Sequence, residues 1–397
     1  NGYIHAVNRV LQPAKLTAAQ QIEQDPKFAI FTQALKATGF YNLLNTANNP
    51  DTTKRWLTVL AESDSVLRLN GINSYPDLVA RYSKTGNPQN PQDSLYLFVA
   101  YHILPGIKYV ADIVTVPSHQ TLAPESVITA TLDGQNVLLN EVMFNNVLEL
   151  GVPINRSASD NSTTNGVVHS VLGNIILKVR LPYRVDFDIA AQPEILKLPS
   201  IYRKPGQGVA FSLGQLKDVT WQNPNLQAAS YFAEAATSAN AYWKDDQFST
   251  NLRFGNAAAN TWIEFVTPLI VKGRYKIWIN YRRANMGKYV QVSFDGEPTP
   301  RIVDFTLTLP DNNATDAVLE SQGFKRYSSN TPNGNNVGQT AGIIDVKATD
   351  RHRIRLTAIR DNGSGTANGV TLDFIQFIPV NDVQFRPRYA RDGSVIQ

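Results

Sequence analysis

Apolar residues recur at helical spacing in the first part of the chain and at alternate positions in its second half. Thr17-Ala18-Ala19-Gln20 has capping-box spacing, with Thr17 as N-cap and Gln20 reaching back. Asp25-Pro26 opens a further helix, since Asp caps and Pro fits the first helical position. Its apolar positions Phe28, Phe31, Ala34 and Leu35 share one face, and Gly39 supplies a left-handed C-cap. Phe40, Leu43 and Leu44 continue the burial. Leu57 and Val59 then mark a strand, and Val66, Leu67 and Leu69 the helix after it, with Asp64 placed to cap that helix. Ser94–Leu104 is mainly apolar, helical or deeply buried, and Pro105-Gly106 stops it. Val127–Thr131 and Val137–Leu139 flank Asp133-Gly134 and predict a hairpin, and Val142–Leu150 adds another strand-like run. Helices mixed with short antiparallel strands predict an α+β domain.

The pattern changes at Leu181. Pro182, Pro193, Pro199 and Pro205, with Gly206 and Gly208, predict an extended connector over 182–216, with some strand at Tyr183–Ile189. From Lys217 onward the alternation is that of strands. In Gly273–Arg283, Tyr275, Ile277, Ile279 and Tyr281 face one side, and Arg274, Lys276, Trp278, Asn280 and Arg282 face the other. Trp262–Val266, Tyr289–Phe294, Arg351–Ile359 and Val370–Ile378 are further strands, with a hairpin turn at Asp295-Gly296. Such strands, separated by Gly, Asn and Pro turns, predict an all-β sandwich over 217–380, followed by a C-terminal tail, 381–397. Asn330–Asn336 is expected to be a loop.

Composition narrows this picture. The chain has 397 residues, enough for two or three domains, each with its own core. A hydrophobic content of 43% and a charged content of 18% fit a folded protein. A membrane-spanning helix needs about 20 consecutive apolar residues, and none is present. The absence of cysteine excludes disulfides, thiol catalysis and thiolate metal sites. The net charge of +4 permits acidic partners without demanding them. With neither an initiator Met nor a secretory signal, the sequence is expected to be a mature or trimmed form.

The opening Asn1–Pro13, NGYIHAVNRVLQP, is nearly repeated at Asn165–Leu177, NGVVHSVLGNIIL. Asn1-Gly2 and Asn165-Gly166 are expected to be tight turns at positive φ, each feeding a strand. The repeat predicts the closing strands of two successive domains, so that 1–13 ends one domain and 14–181 forms the next. NGVVHSVLGNIIL resembles the closing motif of fasciclin-like domains. Trp56–Leu69, WLTVLAESDSVLRL, resembles that family's early strand-then-helix motif, with Ala-Glu-Ser-Asp in place of the usual Ala-Pro-Thr-Asp. Tyr101-His102, within Ala100–Gly106, resembles its central Tyr-His motif. The three motifs occur in the family's order over about Leu16 to Leu181. The resemblance implies an adhesion or matrix-binding role at a bacterial cell surface, outer membrane or periplasm.

The second half resembles galactose-binding-like jelly rolls, especially the sixth family of carbohydrate-binding modules. The residues that carry this are Trp262–Phe265, Lys272–Tyr275, Phe294–Gly296 and Leu372–Ile375, with Tyr231–Glu234 matching an opening strand. Thr371 stands where an Asn commonly contacts sugar, so any glycan bound is expected to be held weakly or to be an unusual one. The fold class expected is therefore multi-domain, with an α+β fasciclin-like domain followed by an all-β jelly-roll sandwich.

Candidate chemistry is sparse. His102 and His169 stand among apolar neighbours with no carboxylate at ligand spacing, so buried structural roles are expected for them, for Tyr101 and for His5, the counterpart of His169. The other reading of these histidines is as metal ligands. Glu62 and Asp64 are expected to form a solvated capping turn rather than an acid pair. No nucleophile elbow, zincin or phosphate-loop motif is present, and the protein is expected to be no enzyme and to carry no cofactor or metal. Trp243, Tyr242 and Trp262 are candidates for an aromatic platform against a sugar ring, Trp243 because its neighbours Tyr-Trp-Lys-Asp-Asp-Gln suggest exposure. The alternative for Trp262 is packing on the sheet. Arg274, Lys276, Arg282, Arg283, Arg351, Arg353 and Arg355 form either a basic surface or a solvated sheet face, and no nucleic-acid motif accompanies them. The expected partners are surface proteins or extracellular glycans, with anchoring through a segment outside this chain. The alternative function is glycan capture by the sandwich.

Overall fold

A computed structural model of the chain describes residues 13–144, 147–178, 180–235, 237–238, 242–254, 260–283, 287–328, 335–362 and 370–396. The expected closing strand at Asn1–Pro13 and His5 lie outside them but for Pro13, as does most of the expected loop at 330–336. The chain divides into two compact units, Asn1–Val179 and Arg180–Gln397.

The first unit is α+β. Helices α1 (Ala18–Glu23), α2 (Ala29–Thr38), α3 (Phe40–Leu44), α4 (Asp64–Leu69), α5 (Tyr75–Tyr82), α6 (Ser94–Tyr101) and α7 (Val110–Thr115) accompany short strands. These are β1 (Leu57–Glu62), β2 (Ile103–Pro105), β3 (Ser118–Gln120), β4 (Val127–Asp133), β5 (Asn136–Leu139), β6 (Val142–Phe144), β7 (Val147–Glu149), β8 (Val152–Asn155), β9 (Asn161–Thr163) and β10 (Gly166–Val171). The main sheet runs β2-β1-β10-β8-β5-β4-β3, with β1 and β10 parallel. Thr17 and Gln20 close the capping box on α1, and Gly39 ends α2 at φ 83°. Phe31, Ala34 and Leu35 are fully buried against α5 and α6 in the unit's core.

Two local expectations are corrected. Asn165-Gly166 is not a positive-φ turn. Gly166 is needed for close approach: a Cβ there would lie 1.8 Å from the Leu57 carbonyl oxygen across the parallel pair. Asn165 is buried; its Oδ1 accepts the Ala18 N–H at 2.9 Å and its Nδ2 donates to the Leu44 carbonyl at 2.8 Å, tying the ends of α1 and α3 to β10. At the end of β1, Glu62 and Asp64 are buried rather than solvated. Ser63, not Asp64, is the N-cap of α4, while Asp64 accepts the Ile30 N–H at 3.0 Å near the start of α2.

The second unit is an antiparallel β-sandwich. Its strands are β11 (Val185–Asp188), β12 (Gly208–Phe211), β13 (Val219–Trp221), β14 (Ala229–Ala233), β15 (Asp246–Thr250), β16 (Trp262–Ile270), β17 (Gly273–Arg282), β18 (Gly287–Phe294), β19 (Glu297–Asp304), β20 (Phe324–Lys325), β21 (Asn336–Val346), β22 (Asp350–Asn362) and β23 (Thr371–Pro379), followed by a small hairpin of β24 (Arg388–Tyr389) and β25 (Val395–Ile396). One sheet runs β12-β14-β15-β23-β17-β21-β20 and the other β13-β16-β22-β18-β19. Tyr275, Ile277, Ile279 and Tyr281 point into the core between them with Phe248, Phe265, Ile354 and Leu356, as their alternation requires. Asp295-Gly296 joins β18 to β19 with φ of 49° and 87°, the left-handed pair that a two-residue hairpin loop demands.

The segment 182–216 is not a free connector. It belongs to the second unit: β11 pairs with β23, and Ile189 and Ile195 are fully buried. Pro193 opens a short helix there, α8 (Pro193–Leu196). The segment 381–397 is not a free tail either. Gln384 and Tyr389 are buried, the latter in a cluster with Trp243, Tyr327 and Phe374. This covers the outward side chains of the first sheet, so Trp278 and Asn280 are as buried as the core residues between them. The sandwich also holds a helix, α9 (Asp316–Gln322), capped by Thr315 and ended by Gly323 at φ 89°.

Candidate functional site

In the first unit the motif residues form buried polar nodes. The C-terminus of α6 places Tyr101 and His102, and β1 ends at Glu62. His102 Nδ1 lies 2.7 Å from the Phe98 carbonyl, which can only accept, so Nδ1 carries a proton. Its Nε2 lies 2.9 Å from Glu62 Oε1, and one further proton must sit between them. Glu62 also accepts from Asn174 Nδ2 at 2.7 Å and from the Ile175 amide, so its carboxyl is satisfied on every side. Tyr101 donates to the Val127 carbonyl at 2.8 Å and accepts from Asn140. His169, on β10, donates from Nε2 to the Lys108 carbonyl at 2.7 Å, and its Nδ1 accepts the Asp160 N–H at 3.2 Å. Burial holds its pKa below the usual histidine value. Among the described residues no group of three His, Asp or Glu side chains is placed to hold a metal.

In the sandwich, the expected aromatic platform is not on the surface. Tyr242 is 1% exposed and Trp243 8%. The Trp243 ring packs 4.6 Å from Tyr389 and 4.8 Å from Phe374, with the Lys244 ammonium 3.9 Å over it. Its indole N–H reaches the Gly393 carbonyl at 3.4 Å, and its backbone N–H donates to Asp373 Oδ2 at 3.0 Å. Asp373 is the extra residue of a β-bulge, opposite the step from Asn280 to Tyr281 in β17. Burial raises its pKa well above the carboxylate range. The polar neighbours of Trp243 misled because Lys244 and Asp245 both adopt positive φ, a turn that sends the indole inward. Trp262 is half-buried beneath the Arg355 guanidinium, 4.2 Å away. The cations of the sheet faces are largely paired: Arg353 and Arg355 both reach Glu264 at 2.9 Å, Arg274 meets Asp345 at 3.0 Å, and Arg351 meets Asp218 at 2.5 Å.

A different surface is open. Ala210, Ser230, Ser249 and Thr371 are direct cross-strand neighbours on β12, β14, β15 and β23. Small side chains in that row leave a groove of about 360 Å³, bordered also by Gln227 and Asn251. The Ser249 and Thr371 hydroxyls lie 3.3 Å apart. The next row places the exposed Phe232 between Gly208 and Gln247. Hydroxyls and amides around a shallow groove suit a polyhydroxylated ligand. In the sequence β14, β15 and β23 each contribute a single small hydroxyl residue to this row, Ser230, Ser249 and Thr371, so no one segment signals the groove. A smaller cleft of about 220 Å³ lies between Arg203, Glu234, Lys244, Asp245 and Arg391. Beside it, burial and the nearby Asp188 push the Asp246 carboxyl up to about 7.

Residues 26–176 match the family model for the fasciclin domain. No curated protein sequence matches the chain. Among solved structures, a FAS1 domain pair from the insect cell adhesion molecule fasciclin I is 14% identical over 41% of this chain and 52% of that one, with a TM-score of 0.31. This chain thus spans about half the length of that pair. A family 35 carbohydrate-binding module from Clostridium thermocellum is 12% identical over 44% of this chain and 99% of the module, with a TM-score of 0.24. The corresponding module from Paenibacillus barcinonensis is 14% identical over 43% of this chain and 96% of its own, with a TM-score of 0.22. The chain therefore carries a fasciclin domain at residues 26–176, followed by a β-sandwich.

Proposed function

We propose that this chain is a non-catalytic adhesion protein that acts outside the cytoplasm, at a bacterial surface, by recognising surface proteins or matrix. The observation that carries the reading is the fasciclin domain at residues 26–176, since such domains are generally adhesion-related. The site chemistry agrees with it. His102, His169 and His352 each have both ring nitrogens engaged within the fold, leaving none of the three free as a general base. Contacts through such a surface are individually weak and become useful through repetition and avidity. The test is retention of beads coated with the full chain on immobilised extracellular proteins, with bovine serum albumin as the reference surface. Retention no greater than on albumin sinks the reading.

A second reading, glycan capture, is favoured by the groove at Ser230, Ser249 and Thr371. A glycan array probed with the full chain distinguishes the two. Binding to sugars without retention on proteins selects glycan capture.

A further inference from the structure

Lys325 is 1% exposed, and its ammonium-bearing end lies on the outward side of the first sheet, away from solvent. It reaches this position across Gly338, its partner on β21. A Cβ at Gly338 would stand 2.7 Å from Lys325 Cγ and 2.6 Å from Asn280 Oδ1, so only glycine leaves the passage open. At the end of that passage Lys325 Nζ contacts Gln376 Oε1, and Gln376 and Asn280 are both fully buried. Gln376 Nε2 donates to Asp186 Oδ1 at 2.7 Å. Asn280 Nδ2 lies 3.5 Å from Gln376 Oε1, while Asn280 Oδ1 finds no hydrogen-bond donor among the described residues. Gln384 seals the place, taking Lys325 Nζ on its carbonyl at 3.3 Å and the Trp278 indole N–H on Oε1 at 3.1 Å.

A buried amine against a buried carboxamide, with a carboxylate on the amide nitrogen, is the constellation for amide exchange. We propose that Lys325 and Gln376 join in an intramolecular isopeptide bond, the lysine nitrogen displacing ammonia from the glutamine side chain. The bond formed is Nζ–Cδ and the bond broken is Cδ–Nε2. The neutral amine attacks Cδ, and negative charge develops on Oε1, on the side where Asn280 Nδ2 stands. One proton passes from Nζ to the departing Nε2, which Asp186 Oδ1 holds by hydrogen bond at 2.7 Å and steadies as it takes up that proton. Ammonia leaves, and no oxidant, metal or energy source enters the balance. Desolvation, against the opposing pull of Asp186, lowers the Lys325 pKa to about 7, so the nucleophilic form is well populated at neutral pH. The linkage would tie the short edge strand β20 to the central strand β23, closing a loop in the unfolded chain as a disulfide does. This inference does not rest on the adhesion reading.

The test is intact mass spectrometry of the full chain, kept folded at neutral pH, then denatured, with peptide mapping. The expected mass is that of the sequence less one ammonia, with the Lys325 and Gln376 peptides joined. Lys325→Arg should restore the full mass, and Asp186→Asn, in chains shown folded by circular dichroism, should slow or abolish joining. The sequence mass, with Lys325 and Gln376 in separate unmodified peptides, overturns the proposal. So does an ammonia loss that persists in Lys325→Arg or that maps to Asn165-Gly166 as a succinimide.

Discussion

Glu62 Oε1 and His102 Nε2 lie 2.9 Å apart with both side chains wholly withdrawn from solvent, which makes this pair the polar centre of the fasciclin domain. It joins the end of β1 to the end of α6, and Glu62 extends the link to Asn174 and Ile175 beyond β10. Removing His102 leaves Glu62 buried with one hydrogen bond fewer, which costs about 1–3 kcal/mol. His102→Ala is therefore expected to lower the urea midpoint of the first unit's transition strongly. An unchanged midpoint would show that the pair contributes nothing to stability.

His169 gives the same unit a pH dependence. Its folded pKa is depressed below 6.5, chiefly by burial, so the unfolded chain takes up a proton more readily than the folded one. Stability is then full above about pH 6.5 and falls as the pH drops below it. His169→Gln should flatten this part of a plot of stability against pH. Equal acid sensitivity in the variant would mean that other groups set it.

Gly166→Ala tests the close approach of β10 to β1. The added methyl has to displace the Leu57 carbonyl, which is itself held in a parallel ladder. The expected cost is about 3 kcal/mol or more, at the severe end for single substitutions. Thermal unfolding of the full chain reads it, and a neutral result would show that the two strands separate easily.

The contrast between these residues explains what the sequence revealed. Local signals were legible: the Thr17–Gln20 capping box, the Gly39 C-cap, the alternation in β17 and the Asp295-Gly296 turn each depend on neighbours a few residues away. Relationships across long separations were not. Glu62 looked solvated because its partner lies 40 residues on, and Gly166 looked like a turn glycine because the strand it touches begins at Leu57. Trp243 looked exposed because the segment that covers it, including Tyr389 and Gly393, is remote in sequence and carries little apolar pattern of its own. The hydroxyl groove was missed for a related reason. It consists of small side chains, and only cross-strand register puts Ser230, Ser249 and Thr371 in one row.

Trp243→Ala should act on stability. The indole fills a cluster with Tyr327, Phe374 and Tyr389, and truncating a buried Trp costs about 3–5 kcal/mol. The second unit's unfolding transition should move accordingly. A surface role predicts instead an unchanged transition with altered ligand affinity.

The groove supplies the sharpest separation between adhesion to proteins and capture of glycans. Ser249 stands in the middle of the row, with Ser230 and Thr371 as cross-strand neighbours, and it is only partly buried. Ser249→Trp would fill much of the groove from a position on the outer face of the sheet, where added bulk extends toward solvent and the core is untouched. The unfolding transition should therefore move by less than about 1 kcal/mol, as for surface substitutions in general. If sugars bind in the groove, the variant should lose at least about tenfold in affinity for any glycan the parent binds, which corresponds to about 1.4 kcal/mol. Retention on immobilised proteins should be unchanged, because the adhesion reading assigns that property to the fasciclin domain. Undiminished glycan binding by a folded Ser249→Trp chain would exclude the groove as the sugar site.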